Sequence, residues 1–223
     1  MKKGLTELVF IMDRSGSMGG LETDTIGGFN ATLDAHRAAE GEAVVSTVLF
    51  DNEAQVLHDR LPIADVPPMT TRDYWVRGCT ALLDAVGGAI RHISRVHGYL
   101  PEEYRPEHTI VVITTDGYEN ASRKYGYAQV KQMVEQKKQE GWEFLFLGAD
   151  IDAVGEAARI GIEADRAVMN LADGQGQRVA YSAVADATCA MRGATAEMPR
   201  IGAEWQEPIK HDVRKRGRFG FRR

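Results

Sequence analysis

The sequence has only two cysteines, Cys79 and Cys189, far apart in 223 residues. That excludes a disulfide framework and a cysteine-rich zinc site, and reduced thiols in a cytoplasmic protein are expected. No stretch of about 18 apolar residues is present, so no transmembrane helix and no membrane partner are expected. The opening segment MKKGLTELVFIMD has neither the apolar core nor the small-residue cleavage site of a secretory signal. The six histidines form no H-E-x-x-H or paired-ligand pattern. No P-loop lysine motif occurs, and Asp13 and Ser17 stand where G-x-S-x-G requires glycines. These absences remove the common zinc, P-loop and serine hydrolase chemistries, and no enzyme is expected.

Charge of one sign is scarce at the C-terminus. Residues 208–223, PIKHDVRKRGRFGFRR, carry seven Lys or Arg and one Asp. The net charge of −5 therefore conceals an acidic body of −11 and a tail of +6. A tail so basic and poor in apolar residues is expected to be disordered. It could make a weak contact with nucleic acid or an acidic surface. Two segments are expected: a domain over 1–195 and an extension over 196–223.

Four near-continuous apolar runs are present: LVFIM (8–12), VVSTVLF (44–50), IVVITT (110–115) and FLFLGA (144–149). Runs without alternation predict strands buried on both faces of a mostly parallel sheet. Helical spacing appears over 22–40, 81–97 and 127–140, with a last helix within 175–192. Residues 53–63 follow the Asp51-Asn52 turn and read as a strand paired as a hairpin with its predecessor. RAVMNL (166–171) is a sixth candidate strand, and 62–79 reads as a loop. Strands alternating with helices predict a doubly wound, Rossmann-like α/β sheet with helices on both faces.

Three polar clusters punctuate this pattern. Asp13, Ser15 and Ser17 follow the first apolar run in DRSGS. Thr80 lies in GCTAL at the start of a helix. Asp116 follows the IVVITT run in TTDG. In a doubly wound sheet, ligands bind beyond the carboxyl ends of strands, where the strand order reverses. If the first and IVVITT strands flank that point, the clusters meet in one crevice. Two carboxylates there repel unless a proton or cation intervenes. Two carboxylates and three hydroxyls are hard oxygen donors that suit Mg²⁺ or Mn²⁺, with water completing the shell.

The set resembles the von Willebrand factor A domain family of the bacterial stand-alone type. DRSGS matches its D-x-S-x-S, GCTAL its threonine turn and TTDG its second aspartate. The order and spacing fit across roughly residues 5–195. The resemblance implies about six mostly parallel strands with one antiparallel edge strand, here 53–63. It implies a metal ion-dependent adhesion site (MIDAS) made by Asp13, Ser15, Ser17, Thr80 and Asp116. Within it, Ser15, Ser17 and Thr80 lie nearest the metal, and Asp13 and Asp116 act largely through water. It also implies a protein partner that supplies an Asp or Glu carboxylate. The alternative from another class is a metal-dependent phosphoryl hydrolase or transferase using Asp13 and Asp116. Tyr118, Glu119 and Asn120 either touch a ligand or are solvated loop residues.

Overall fold

The structure, a computed structural model, describes residues 1–194 and 200–220, with side chains described through 217. Six strands form one sheet: β1 (Lys2–Asp13), β2 (Glu42–Phe50), β3 (Ala54–Pro62), β4 (Pro106–Thr115), β5 (Trp142–Ala149) and β6 (Ala167–Asn170). Their order is β3-β2-β1-β4-β5-β6. All neighbours run parallel except the β2–β3 hairpin, which is antiparallel at the edge. The fold class and the antiparallel edge strand are those expected. So is the reversal of strand order between β1 and β4.

Side-chain parity along β1 divides the core. Leu8, Phe10 and Met12 face one layer, made by α1 (Glu22–Ala38) and α5 (Gly174–Arg192). Val9 and Ile11 face the other, made by α2 (Leu82–Tyr99), α3 (Tyr127–Gln139) and α4 (Ala153–Arg159). A strand buried on both faces has no reason to alternate apolar with polar residues, which accounts for the unbroken runs in the sequence. The apolar stripe of α1 is short because the helix relies on close approach. A Cβ on Gly28 would stand 2.3 Å from the Tyr181 ring of α5, so only glycine admits this contact. His36, which ends the stripe, is fully buried and bonds Thr188 of α5 at 2.9 Å.

Two elements depart from the sequence reading. The short helix α4, capped by the Asp152 side chain accepting from Gly155 N, was not expected. The basic tail was expected to be disordered, whereas residues Glu207–Gly220 form helix α6. Ile209 is buried in the same apolar cluster as Trp205, Ile201 and the α5 face. Arg216 binds Asp212 within the helix and donates to Asp173, the N-cap of α5, at 2.6 Å. Gln175 donates to Asp212 at 2.8 Å. Average composition missed this because the contacts lie on one face, where Ile209 and Asp212 are buried while the remaining described positions of the helix are part-exposed or exposed. Residues 221–223 lie outside the described region.

Both cysteines are free. No helix among the described residues is long and apolar enough to cross a membrane.

Candidate functional site

β1 ends at Asp13 and β4 at Thr115, side by side at the switch point. Parity decides what they face. Asp13 continues the Val9 and Ile11 side of β1, and Thr115 continues the Val111 and Ile113 side of β4. Both therefore point into the layer headed by α2. Thr115 Oγ1 donates to Asp13 Oδ2 at 2.5 Å, and Ser15 N donates to Asp13 Oδ1 at 2.6 Å. Asp13 is fully buried, with both carboxylate oxygens engaged.

The remaining groups form a directed chain of hydroxyls. Thr80 Oγ1 donates to Ser15 Oγ at 3.0 Å. Ser15 and Ser17 bond at 3.1 Å, and Ser17 Oγ donates to Asp116 Oδ1 at 2.5 Å. Because the Ser17 proton is committed to Asp116, Ser15 is the donor to Ser17. All five expected site residues thus meet. Thr80 and Ser15 are buried, Asp116 is half-buried and Ser17 is exposed, so the chain runs from interior to surface.

Backbone contacts fix this cluster. Gly16 N donates to Gly78 O at 3.1 Å and Arg77 N to Arg14 O at 2.9 Å, which binds the turn before Thr80 to the serine loop. Asn120 clasps Thr80 from the other side: its Oδ1 accepts from Thr80 N at 2.9 Å and its N donates to Thr80 O at 3.0 Å. Glu119 caps the start of α2, accepting from Leu83 N at 2.8 Å. Tyr74 donates from its hydroxyl to Asp13 O. Gly117 must be glycine for steric reasons, since a Cβ there would lie 2.7 Å from Thr80 Oγ1 and 3.3 Å from Ser17 Oγ.

Burial pushes Asp13 up to about 6, only partly relieved by the bonds from Thr115 and Ser15. Burial also raises Asp116, against the bond from Ser17, and the charge of Asp150 adds to the rise. Two carboxylates in one crevice are thus held short of positive charge. Among the described residues no three His, Cys, Asp or Glu side chains gather as a metal-binding group, so any cation here depends on the hydroxyls. Two carboxylates and three hydroxyls, all hard oxygen donors, are gathered in one hydrogen-bonded cluster. The chemistry of this donor set fits Mg²⁺ or the similar Mn²⁺.

Several supporting residues were not singled out from sequence. The sequence marks Thr115 only as the end of a strand and leaves Asn120 and Glu119 between ligand contact and solvated loop. In the structure they hold the turn of Thr80 and the start of α2. Tyr74 lay in a segment read simply as loop. None of these carries a spacing signal, because each acts through a contact between distant loops.

No family profile and no curated protein sequence matches the chain. Solved structures do. The vWF domain of the type V pili tip protein Mfa5 from Porphyromonas gingivalis superposes with a TM-score of 0.62 at 10% identity, covering 86% of this chain and 97% of that one. The chain has the von Willebrand factor A (vWA) fold. Proximal thread matrix protein 1 from the mussel byssus, solved with a zinc-occupied MIDAS motif, gives a TM-score of 0.60 at 17% identity, covering 84% of this chain and 46% of that one. Manganese-loaded TRAP protein from Plasmodium vivax gives 0.53 at 16% identity, covering 80% and 72%. The chain spans about half the length of the mussel proteins. At these identities the likeness is one of vWA fold.

Proposed function

We propose that this vWA domain is a divalent-metal-dependent protein-binding module. Asp13, Ser15, Ser17, Thr80 and Asp116 would form its MIDAS, with Mg²⁺ or Mn²⁺ as the cation. The observation that carries the reading is the unbroken run of oxygens from Thr80 through Ser15 and Ser17 to Asp116. Metal-occupied relatives of the same fold support it. Ser15, Ser17 and Thr80 offer neutral oxygens at the metal, and Asp13 and Asp116 contribute charge from behind. When bound, the cation would supply an open coordination position with strong residual attraction for an anionic oxygen. The partner is read as a protein presenting an Asp or Glu carboxylate.

A binding module is favoured over a phosphoryl hydrolase or transferase by the state of Asp13. A strand-end nucleophile must be accessible, whereas Asp13 is buried with both oxygens accepting hydrogen bonds. The two free thiols support a cytoplasmic location. A pull-down with and without divalent metal, comparing the native chain with Asp13→Ala, tests the function. Partners retained equally in chelator would reject it.

A further inference from the structure

Beside the serine loop stands a second polar construction that the metal does not use. Arg14, the residue between Asp13 and Ser15, is fully buried. Its Nε donates to Asp51 at 2.8 Å, and neither terminal nitrogen has a hydrogen-bond partner among the described residues. Asp51 also accepts from Arg77 Nε at 2.7 Å. Burial would raise the Asp51 carboxyl, but the Arg77 bond, the Glu53 backbone bond and the Arg14 charge together hold it below the usual range. One buried carboxylate therefore serves two guanidiniums, and exposed Glu53 adds a second negative charge that acts on Arg77. Trp75 covers the cluster, with the Arg14 and Arg77 guanidinium carbons 5.3 and 5.8 Å from its ring centroid. The indole is 43% exposed, a large aromatic surface left facing solvent.

The opposite flank of the site has the other sign. Asp150 and Asp152 are exposed there, beside half-buried Asp116. The rim thus presents exposed Trp75 and the Arg77 guanidinium on one side of the metal position and the exposed carboxylates of Asp150 and Asp152 on the other. An acidic side chain next to a metal-seeking carboxylate is repelled on one flank and attracted on the other.

We propose that Trp75 and Arg77, backed by buried Arg14, form a second anchoring shelf for the partner. The shelf takes an acidic side chain adjacent to the carboxylate at the metal, so the partner presents two neighbouring acids rather than one. Geometry supports contiguity: the Arg77–Arg14 and Gly16–Gly78 backbone bonds join the shelf directly to the MIDAS loop. Buried Arg14 lies in low dielectric, so its charge is less screened than that of a surface arginine. The inference rests on the metal–carboxylate reading above.

The test uses two capped tetrapeptides, Gly-Asp-Glu-Gly and its isostere Gly-Asp-Gln-Gly, titrated into the full chain at saturating Mg²⁺ and in chelator. Binding is followed by the indole N–H resonances in NMR, where buried Trp142 and Trp205 serve as internal references. The diacid should bind about two- to fivefold tighter, the range an exposed ion pair supplies, and should shift the Trp75 resonance selectively. Arg77→Gln should erase that gain while leaving the Asp-Gln affinity unchanged, and Trp75→Ala should reduce it. Equal affinities in the native chain, or a gain that survives Arg77→Gln, would overturn the shelf and leave the metal reading standing. A gain that persists in chelator would keep the shelf and remove the metal. Absence of any binding by either peptide, with or without metal, would remove both.

Discussion

Thr80 Oγ1 donates to Ser15 Oγ across 65 residues of chain. That bond brings the start of α2 onto the end of β1, beside the point where the sheet reverses its order between β1 and β4. A site assembled this way belongs to the folded state alone. The unfolded chain scatters its donors, so a ligand of the site is also a stabiliser of the fold.

The first prediction follows. Mg²⁺ or Mn²⁺ at roughly one hundred times its dissociation constant should stabilise the domain by about 2.7 kcal/mol, read as a higher melting midpoint than in chelator. Asp13→Ala and Asp116→Ala should abolish the shift, because each removes charge that compensates the cation. Ser15→Ala, Ser17→Ala and Thr80→Ala remove neutral donors and should each reduce it less. An unchanged midpoint in the native chain at millimolar metal would show that the site holds no cation.

pH dependence without metal carries the opposite signature to that of a salt-bridged acid. Asp13 titrates at about 6 in the fold and near 3.9 when unfolded. Its contribution is therefore fully present below about pH 4 and is lost as pH rises through about 6. The loss is about 3 kcal/mol in order of magnitude. Burial holds His36 down at about 3, and a histidine buried neutral adds stability as pH rises, so the Asp13 contribution is read as the difference between the native chain and Asp13→Asn. In chelator that difference in melting midpoint should grow in favour of Asp13→Asn between pH 4 and 7, and saturating Mg²⁺ should remove it. An Asp13→Asn chain no more stable than native at pH 7 in chelator would contradict the burial of an uncompensated carboxylate.

Sequence carried the sheet because doubly buried strands leave unbroken apolar runs, and the helices expected over 22–40, 81–97, 127–140 and within 175–192 lie within two residues of α1, α2, α3 and α5. It carried the five candidate ligands because strand-end acids and hydroxyls at fixed spacing have few other uses. It did not carry Asn120, Thr115 or Tyr74, whose work is to hold neighbouring backbone and carboxylate groups across loops. Nor did it carry α6. There the charge count of the tail outweighed buried Ile209 and Asp212 and the Arg216 bond to Asp173, which face the body of the domain. Composition averages over faces, and docking depends on one face.

Helix α6 supplies the third prediction. Truncation after Gln206 should destabilise the domain, since it removes buried Ile209 and the Arg216 bond to the α5 N-cap. Ile209→Ala should cost about 2–4 kcal/mol, the usual penalty for emptying a buried aliphatic site. Lys210→Ala, on a part-exposed position, should be within about 0.5 kcal/mol of native. Denaturant midpoints of the three variants check this, and a truncated chain of native stability would mean that α6 contributes nothing to the fold.

Gly117 gives the sharpest separation of site from scaffold. Its missing side chain is the space over Thr80 Oγ1 and Ser17 Oγ, where an added Cβ would stand 2.7 and 3.3 Å away. The Thr80 contact is too close to tolerate, so Gly117→Ala must push Thr80 out of its place in the hydroxyl chain. Gly117 itself is half-buried at the rim rather than in the core, so the sheet beneath need not move. The expected result is a melting midpoint in chelator close to native, with the metal-induced rise lost. Asn120→Ala should act in the same direction through the Thr80 backbone, but more weakly, because water can replace an exposed amide. Gly117→Ala retaining the full metal-induced rise would show that Thr80 is not a ligand.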